Sequence, residues 1–178
     1  MASSNNMVFG NDINVLDATQ VYPLGTERLV LGSQSGTGSD QVWRYVLNST
    51  ANAFAVGQVV MAKASTLSAG TGDLAAQNTP KTAVLGVAQT YNSTLGTFTA
   101  GTYGWVLAHG YGSVLTAAAG VAANLTFAVS ATAGSVYATA AVPADATAAQ
   151  VNALAVIGYN HVATGAVAVV TTAWIDCR

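Results

Sequence analysis

Tyr103-Gly104-Trp105-Val106-Leu107-Ala108 is the stretch that decides the fold. Tyr103, Trp105 and Leu107 fall on one side of an extended chain, and Gly104, Val106 and Ala108 on the other. That period of two is the signature of a β-strand. The pattern recurs on both sides of it. Leu125, Phe127 and Val129 alternate with Thr126, Ala128 and Ser130. Phe54, Val56, Gln58 and Val60 alternate with Ala55, Gly57, Val59 and Met61. Trp43, Tyr45 and Leu47 share a face, and Ala83–Ala88, Val136-Tyr137, Ala153–Tyr159 and Val167–Trp174 complete the set. Gly, Asn, Ser or Pro fill the gaps, among them Asn48–Asn52, Ser68–Gly72, Gly110–Gly112, Gly134 and Gly165. Thr and Val dominate the runs, and their β-branching favours strands. Many short strands with frequent turns predict a small all-β barrel or sandwich.

Helical signals are few. Ala117–Ala123 is Ala-rich but broken by Gly120. Pro143–Asn152 reads as one short helix, with Pro143 and Asp145 at its start. An internal echo is also visible. Val56-Gly57-Gln58-Val59-Val60 leads to Val84-Leu85-Gly86-Val87-Ala88, and Ala123-Asn124-Leu125-Thr126-Phe127 leads to Val156-Ile157-Gly158-Tyr159-Asn160. Each is an opening strand, an excursion, then an apolar-Gly-apolar strand.

The first forty residues differ in character. They carry Asp12, Asp17, Glu27 and Asp40, with spaced apolar residues and no long apolar run. Gly32–Asp40 has the composition of a flexible linker. Residues 1–40 therefore read as an extended arm plus linker, and residues 41–178 as a β-rich domain. Phe9, Ile13, Leu16, Tyr22 and Leu24 are the arm residues expected to contact a neighbouring chain, by lying in grooves or adding a strand to a sheet edge; the alternative is that residues 8–31 pack on their own barrel.

Charge limits the function. Five basic and seven acidic residues make up 7% of the 178-residue chain, whose net charge is -2. A typical soluble domain is about 25% charged. So few charges favour association, and much of the surface is expected to be covered by other protein chains. Arg28, Arg44, Lys63, Lys81 and Arg178 are scattered, so no nucleic-acid footprint is expected. Mean hydropathy is +0.44, yet no apolar run approaches the ~20 residues of a spanning helix. No membrane segment and no secretory leader are expected.

Catalytic chemistry leaves no trace in the pattern. His109 and His161 lack metal-ligand spacing to any Cys, acid or second His. Gly32-Ser33-Gln34-Ser35-Gly36 fails as a nucleophile elbow because Gln34 holds the central position. Gly36-Thr37-Gly38 lacks the Lys of a phosphate loop. Cys177 reads as an incidental or buried thiol. No catalytic residue, cofactor or metal is expected. Trp43, Trp105 and Trp174 fall inside strand patterns and read as core or as interface anchors. Tyr111, between Gly110 and Gly112, reads as a turn tip lifted off the sheet. Tyr111 and Trp174 are the interface candidates within the domain.

The run Gly101-Thr102-Tyr103-Gly104-Trp105-Val106-Leu107-Ala108-His109-Gly110-Tyr111-Gly112-Ser113-Val114 resembles a stretch of bacteriophage capsid decoration (cement) proteins. Val56–Val60 with Leu85–Ala88, and Ile157-Gly158 with Val167–Val170, fit the same outline, over roughly residues 54–175. The resemblance implies a small β-barrel or β-tulip-like domain that forms a homotrimer. It implies a structural, non-enzymatic role on the outer surface of an icosahedral virion, with the major capsid protein as partner. The arm departs from that outline. The alternatives are a tail-tube or head-fibre component, or a carbohydrate-binding β-domain.

Overall fold

The computed structural model describes residues 13–35, 37–63, 71–75, 81–90, 96–117, 123–130, 132–138, 156–160, 163–165 and 167–178. Phe9, His161 and the helix expected over Pro143–Asn152 lie outside these.

The protein is all-β. Its strands are β1 (Glu27–Val30), β2 (Gln41–Asn48), β3 (Val59–Ala62), β4 (Thr71–Leu74), β5 (Val84–Val87), β6 (Tyr103–Leu115), β7 (Thr126–Val129), β8 (Val136–Ala138), β9 (Val156–Asn160) and β10 (Val170–Asp176). Among the described residues the only helical pieces are one turn, α1 (Gly32–Ser35), and a 3-10 turn at Lys81–Ala83. The strands form one sheet, ordered β1-β2-β4-β3-β5-β6-β10-β9-β7-β8, and an added β2–β6 pairing closes β2, β4, β3, β5 and β6 into a five-strand barrel.

The same arrangement follows a second time, sharing β6. In the first ring β3 pairs with β4 and β5, β5 and β2 pair with β6, and β2 runs parallel to β4. In the second, β7 pairs with β8 and β9, and β10 pairs with β9 and with the latter half of β6. A parallel bridge from Thr116 to Val136 closes it. Registers match as well. Val60 opposes Gly86 with a register shift beside it, and Phe127 opposes Gly158 with the same shift. The sequence echo is thus a repeated topology.

Two glycines show why the echo has the form apolar-Gly-apolar. Gly86 and Gly158 have φ of 157° and 156°. A Cβ on Gly86 would sit 2.7 Å from the Leu107 carbonyl oxygen, and one on Gly158 would collide with the Trp174 carbonyl. Each ring needs a residue without a side chain where this strand crosses its neighbour.

β6 is the hinge between the rings. Trp43 opposes Leu107 but Val42 opposes His109, so Ala108 is an extra residue in β6. One added residue exchanges the faces of everything beyond it. Trp105 and Leu107 therefore share one core with Val114, an even-numbered residue of the same strand, and with Phe127, Ile157, Ala173 and Ile175 of the neighbouring strands. Val46, Phe54, Val60, Leu85, Phe98 and Val106 fill the first ring. The outer wall of the first ring is continuous with the filling of the second.

Four local readings of the sequence change. Gly110–Gly112 is not a gap, because β6 runs through it to Leu115. Gly110 (φ 111°) meets the Asp40 carbonyl beside the bulge, and Gly112 lies against Leu107 and Gln89. β4 lies partly in a stretch that reads as a loop, since Thr-Gly-Asp-Leu carries little apolar signal. The Gly/Ser stretch is internally bonded. Ser35 Oγ donates to the Ser39 carbonyl at 2.9 Å and lies 3.2 Å from that of Gly32, and the Gly32 amide donates to Asp40 Oδ1 at 2.7 Å. Short polar side chains there satisfy the backbone locally. Finally, residues 13–31 pack on their own chain. β1 pairs with β2, Ile13 and Val30 are buried in the larger core, and the Asp17 and Tyr103 backbones exchange hydrogen bonds.

Candidate interaction surface

Directly opposed residues of neighbouring strands share a sheet face. One such row crosses four strands: Leu29 opposes Val42, Val42 opposes His109, and His109 opposes Asp176. The next row places Tyr111 opposite Trp174, and Trp174 opposite Tyr159. Together they form a face five strands wide, in the order β1-β2-β6-β10-β9, with β6 in the middle. The bulge at Ala108 is what brings His109 and Tyr111 onto it.

The face is apolar and aromatic at its centre. Trp174 makes edge contacts with His109 (4.9 Å between ring centroids) and Tyr111 (5.0 Å), and stacks on Tyr159 at 6.3 Å. All four rings are half-buried. Desolvation and a hydrogen bond with Tyr159 raise the Tyr111 phenol above its ordinary pKa. Leu29, at 58% exposure, and Leu31, at 48%, stand on the β1 side.

Mixed charges rim the aromatic centre. Arg44 Nη2 pairs with Glu27 Oε1 at 2.7 Å, and Arg44 Nη1 also donates to the Val84 and Leu85 carbonyls. Across the face, His109 Nδ1 lies 3.4 Å from Asp176 Oδ1, and Arg178 Nη2 lies 2.9 Å from His109 Nδ1. This cluster is an ion-pair rim. Among the described residues no group of three or more His, Cys, Asp or Glu side chains could hold a metal ion.

Two glutamines finish the centre from below. Gln41 Nε2 donates to the Tyr111 carbonyl. Gln89 accepts from the Ser113 amide at 2.8 Å and donates to its carbonyl at 3.0 Å. These amides stand in for a neighbouring strand where β6 leaves the first ring.

Of the residues expected at interfaces, Tyr111 and Trp174 are brought together on this face. The arm residues are placed elsewhere. Tyr22 packs on Tyr45 and Trp105, each at 5.3 Å, and Leu24 lies against the same core. Ile13 is buried, and Leu16 packs on the filling of the first ring. Tyr22, Thr26, Glu27, Arg28 and Trp105 line a cavity of about 250 Å³ between this segment and the barrel. Sequence reasoning missed Tyr159, Leu29 and His109 as members of the face. Their strand pairing supplies the membership, and the bulge hides it. Cys177 is buried at 3% exposure. A comparison with protein-family models finds no match, and a comparison with curated proteins finds none either.

Proposed function

We propose that this chain is a structural, non-enzymatic protein of an assembled particle, and specifically a capsid decoration protein that binds the outside of an icosahedral head. The observation that carries the reading is the five-strand face of Leu29, Val42, Tyr111, Trp174 and Tyr159 on a chain with 7% charged residues. Interfaces concentrate Trp and Tyr at their centre and polar groups at their rim, as here. The resemblance of residues 54–175 to decoration proteins adds the particle, and with it the major capsid protein as partner. A clamp of this kind requires broad neutral contact surfaces rather than an active site.

Electron microscopy of the protein mixed with its parent particle tests this. Density on the outer surface of the head is expected. Because a chain with 7% charged residues has few ion pairs to offer a partner, attachment should survive high salt. Tubes formed by the protein alone would favour a tail component instead. Release by moderate salt, or failure to bind any particle, overturns the reading.

A second reading draws on the same aromatic centre. Half-exposed Tyr111, Tyr159 and Trp174 offer ring faces on which a sugar can stack. Binding of defined glycans by the purified protein, lost on Trp174→Ala, would favour a carbohydrate-binding domain.

A further inference from the structure

We infer that the five-strand face is the contact between two copies of this chain, docked face to face about a twofold axis along β6. A face covered by a second copy is not also the contact with a particle, so the paired chain meets any particle by another surface, and the twofold pair stands in place of the homotrimer that the resemblance implies.

Three observations point to self-association. The first is symmetry of layout. β6 is the central strand of the face, with β1 and β2 on one side and β10 and β9 on the other. An axis along β6 lays β1 and β2 of one copy over β9 and β10 of the other, and sets Tyr111 against its own counterpart. Such a contact is isologous: one patch serves both partners.

The second is charge. The β1 side carries one acid and one base, Glu27 and Arg44, and the β10 side carries another of each, Asp176 and Arg178. The rotation brings the first pair over the second. Each rim thus meets both signs, whereas a single-sign rim would repel its own copy.

The third is the two-sided character of β1. Its inward residue Val30 is buried, which one sheet face explains. On its outward row Glu27 pairs with Arg44 at one end, whereas Leu29 is apolar and exposed, as is Leu31 just beyond the strand. An edge strand facing water is normally blunted with charge on its outer side. An exposed Leu29, followed by an exposed Leu31 and with charge only at the Glu27 end, fits a segment covered on that side too. The rotation places these leucines over the Tyr159 and Trp174 side of the partner, supplying apolar area to the aromatic centre.

Sedimentation at micromolar concentration, with two variants, tests the pairing. The wild-type chain should sediment as two chains. Leu29→Arg changes an exposed side chain and should leave the melting temperature near that of the wild type. It should weaken the pair about tenfold or more, the effect of losing an interface anchor. Tyr111→Cys should form a covalent pair on mild oxidation, because the axis passes beside that position. Val167→Cys, exposed and outside the five strands, should not. A wild-type mass of one or three chains overturns the inference. So does a Leu29→Arg protein that pairs as tightly as the wild type, or a Tyr111→Cys protein that stays single under oxidation.

Discussion

The two rings share a strand order, a register shift and a pair of matched glycines, yet they are finished differently. The outer wall of the first ring carries Trp43, Tyr45, Trp105 and Leu107, all at least 96% buried. Residues 13–30 cover part of that wall and the filling of the second ring covers the rest. Matched by register, the outer wall of the second ring carries Tyr111, Ser113, Thr172 and Trp174, none of them fully buried. Large apolar residues where the chain covers its own wall give way to amphipathic and small polar ones where it does not. The shared topology sets which position faces outward, and the covering sets which residue stands there.

The closing strands differ in the same sense. The first ring's parallel seam is a two-pair ladder of β2 on β4, Leu47 opposite Thr71 and Asn48 opposite Gly72. The second closes through one bridge, Thr116 to Val136, reinforced by the Ala117 amide donating to the Val136 carbonyl at 2.7 Å. At the matched end positions sit two buried polar residues. Asn48 Nδ2 donates to the Phe98 carbonyl, and Thr116 Oγ1 donates to that of Val169. In both rings a side chain fastens the strand end to the segment leading into the next long strand.

The glycines give the largest expected effect. Gly158→Ala drives a methyl into the Trp174 carbonyl, and Gly86→Ala places one 2.7 Å from the Leu107 carbonyl. Both also force a side chain into the left-handed half of backbone space. We expect each to cost at least ~3 kcal/mol, with Gly158→Ala the worse. Denaturant unfolding of the two variants measures the order. Near-neutral substitution at both positions would break the equivalence of the rings.

The covering segment comes next. Tyr22→Ala removes the ring that packs on Tyr45 and Trp105 and should cost ~3 kcal/mol, as for other large-to-small changes in a packed site. Tyr159→Ala, at the open wall of the second ring, should cost the isolated chain ~1 kcal/mol. Equal losses in thermal unfolding would mean that the two walls are equally covered.

How much of this was legible beforehand depends on the range of the interaction. Alternation over Tyr103–Ala108 and Leu125–Ser130 is local, so the strands read directly. The apolar-Gly-apolar echo is local too, and it marks β5 and β9 in matched roles. The extra residue at Ala108 leaves no local mark, because it is defined only by what Val42 and Trp43 oppose. Without it Tyr111 reads as a turn tip, and Leu29 and Tyr159 have no evident connection to it. Tyr22 and Leu24 read correctly as residues seeking an apolar partner. Their surface lies on the same chain, in the wall of Tyr45 and Trp105, and composition carries no information about which chain provides it.

Alkaline pH, read against a Tyr45→Phe variant, probes the first wall. Burial, with a hydrogen bond donated to Asp17 Oδ2, pushes Tyr45 from 10.0 up to about 12. The folded chain therefore holds this proton more tightly than the unfolded one. That contribution is fully present below about pH 10 and is lost as pH rises through about 12. Ser113 occupies the matched position in the second ring and carries no titrating group, but Tyr111 on the same wall is also raised, by burial and its bond with Tyr159, so a Tyr45 variant is needed to isolate the first wall. The midpoint of urea unfolding should fall between these pH values. Tyr45→Phe should start from a lower midpoint, having lost the Asp17 bond, and then fall less steeply. An equal slope in the variant would show that the Tyr45 phenol is not the group responsible.

The smallest effect is at the turns that open β3 and β7. Gly57 has φ of 83°, and its counterpart Asn124 has φ of 59°, the one positive value among the described non-glycine residues. Their backbones make the same bonds: the Gly57 amide donates to the Ala88 carbonyl, and the Asn124 amide to that of Asn160. Their surroundings differ. A Cβ on Gly57 would lie 2.5 Å from the Leu115 amide nitrogen, whereas Asn124 is exposed and its side chain has room. Asn tolerates this conformation better than most residues, and Gly adopts it freely. Asn124→Gly should therefore change stability by no more than ~0.5 kcal/mol, whereas Gly57→Asn should cost several times that. The asymmetry arises from where the first ring presses on β6. β6 is shared, and the Gly57 carbonyl accepts from the Leu115 amide at 2.8 Å, so the opening turn of the first ring touches a strand of the second. The corresponding turn of the second ring, at Asn124, faces solvent. If Gly57→Asn proves as mild as Asn124→Gly, that contact contributes little, and the rings are joined by β6 and the common core alone.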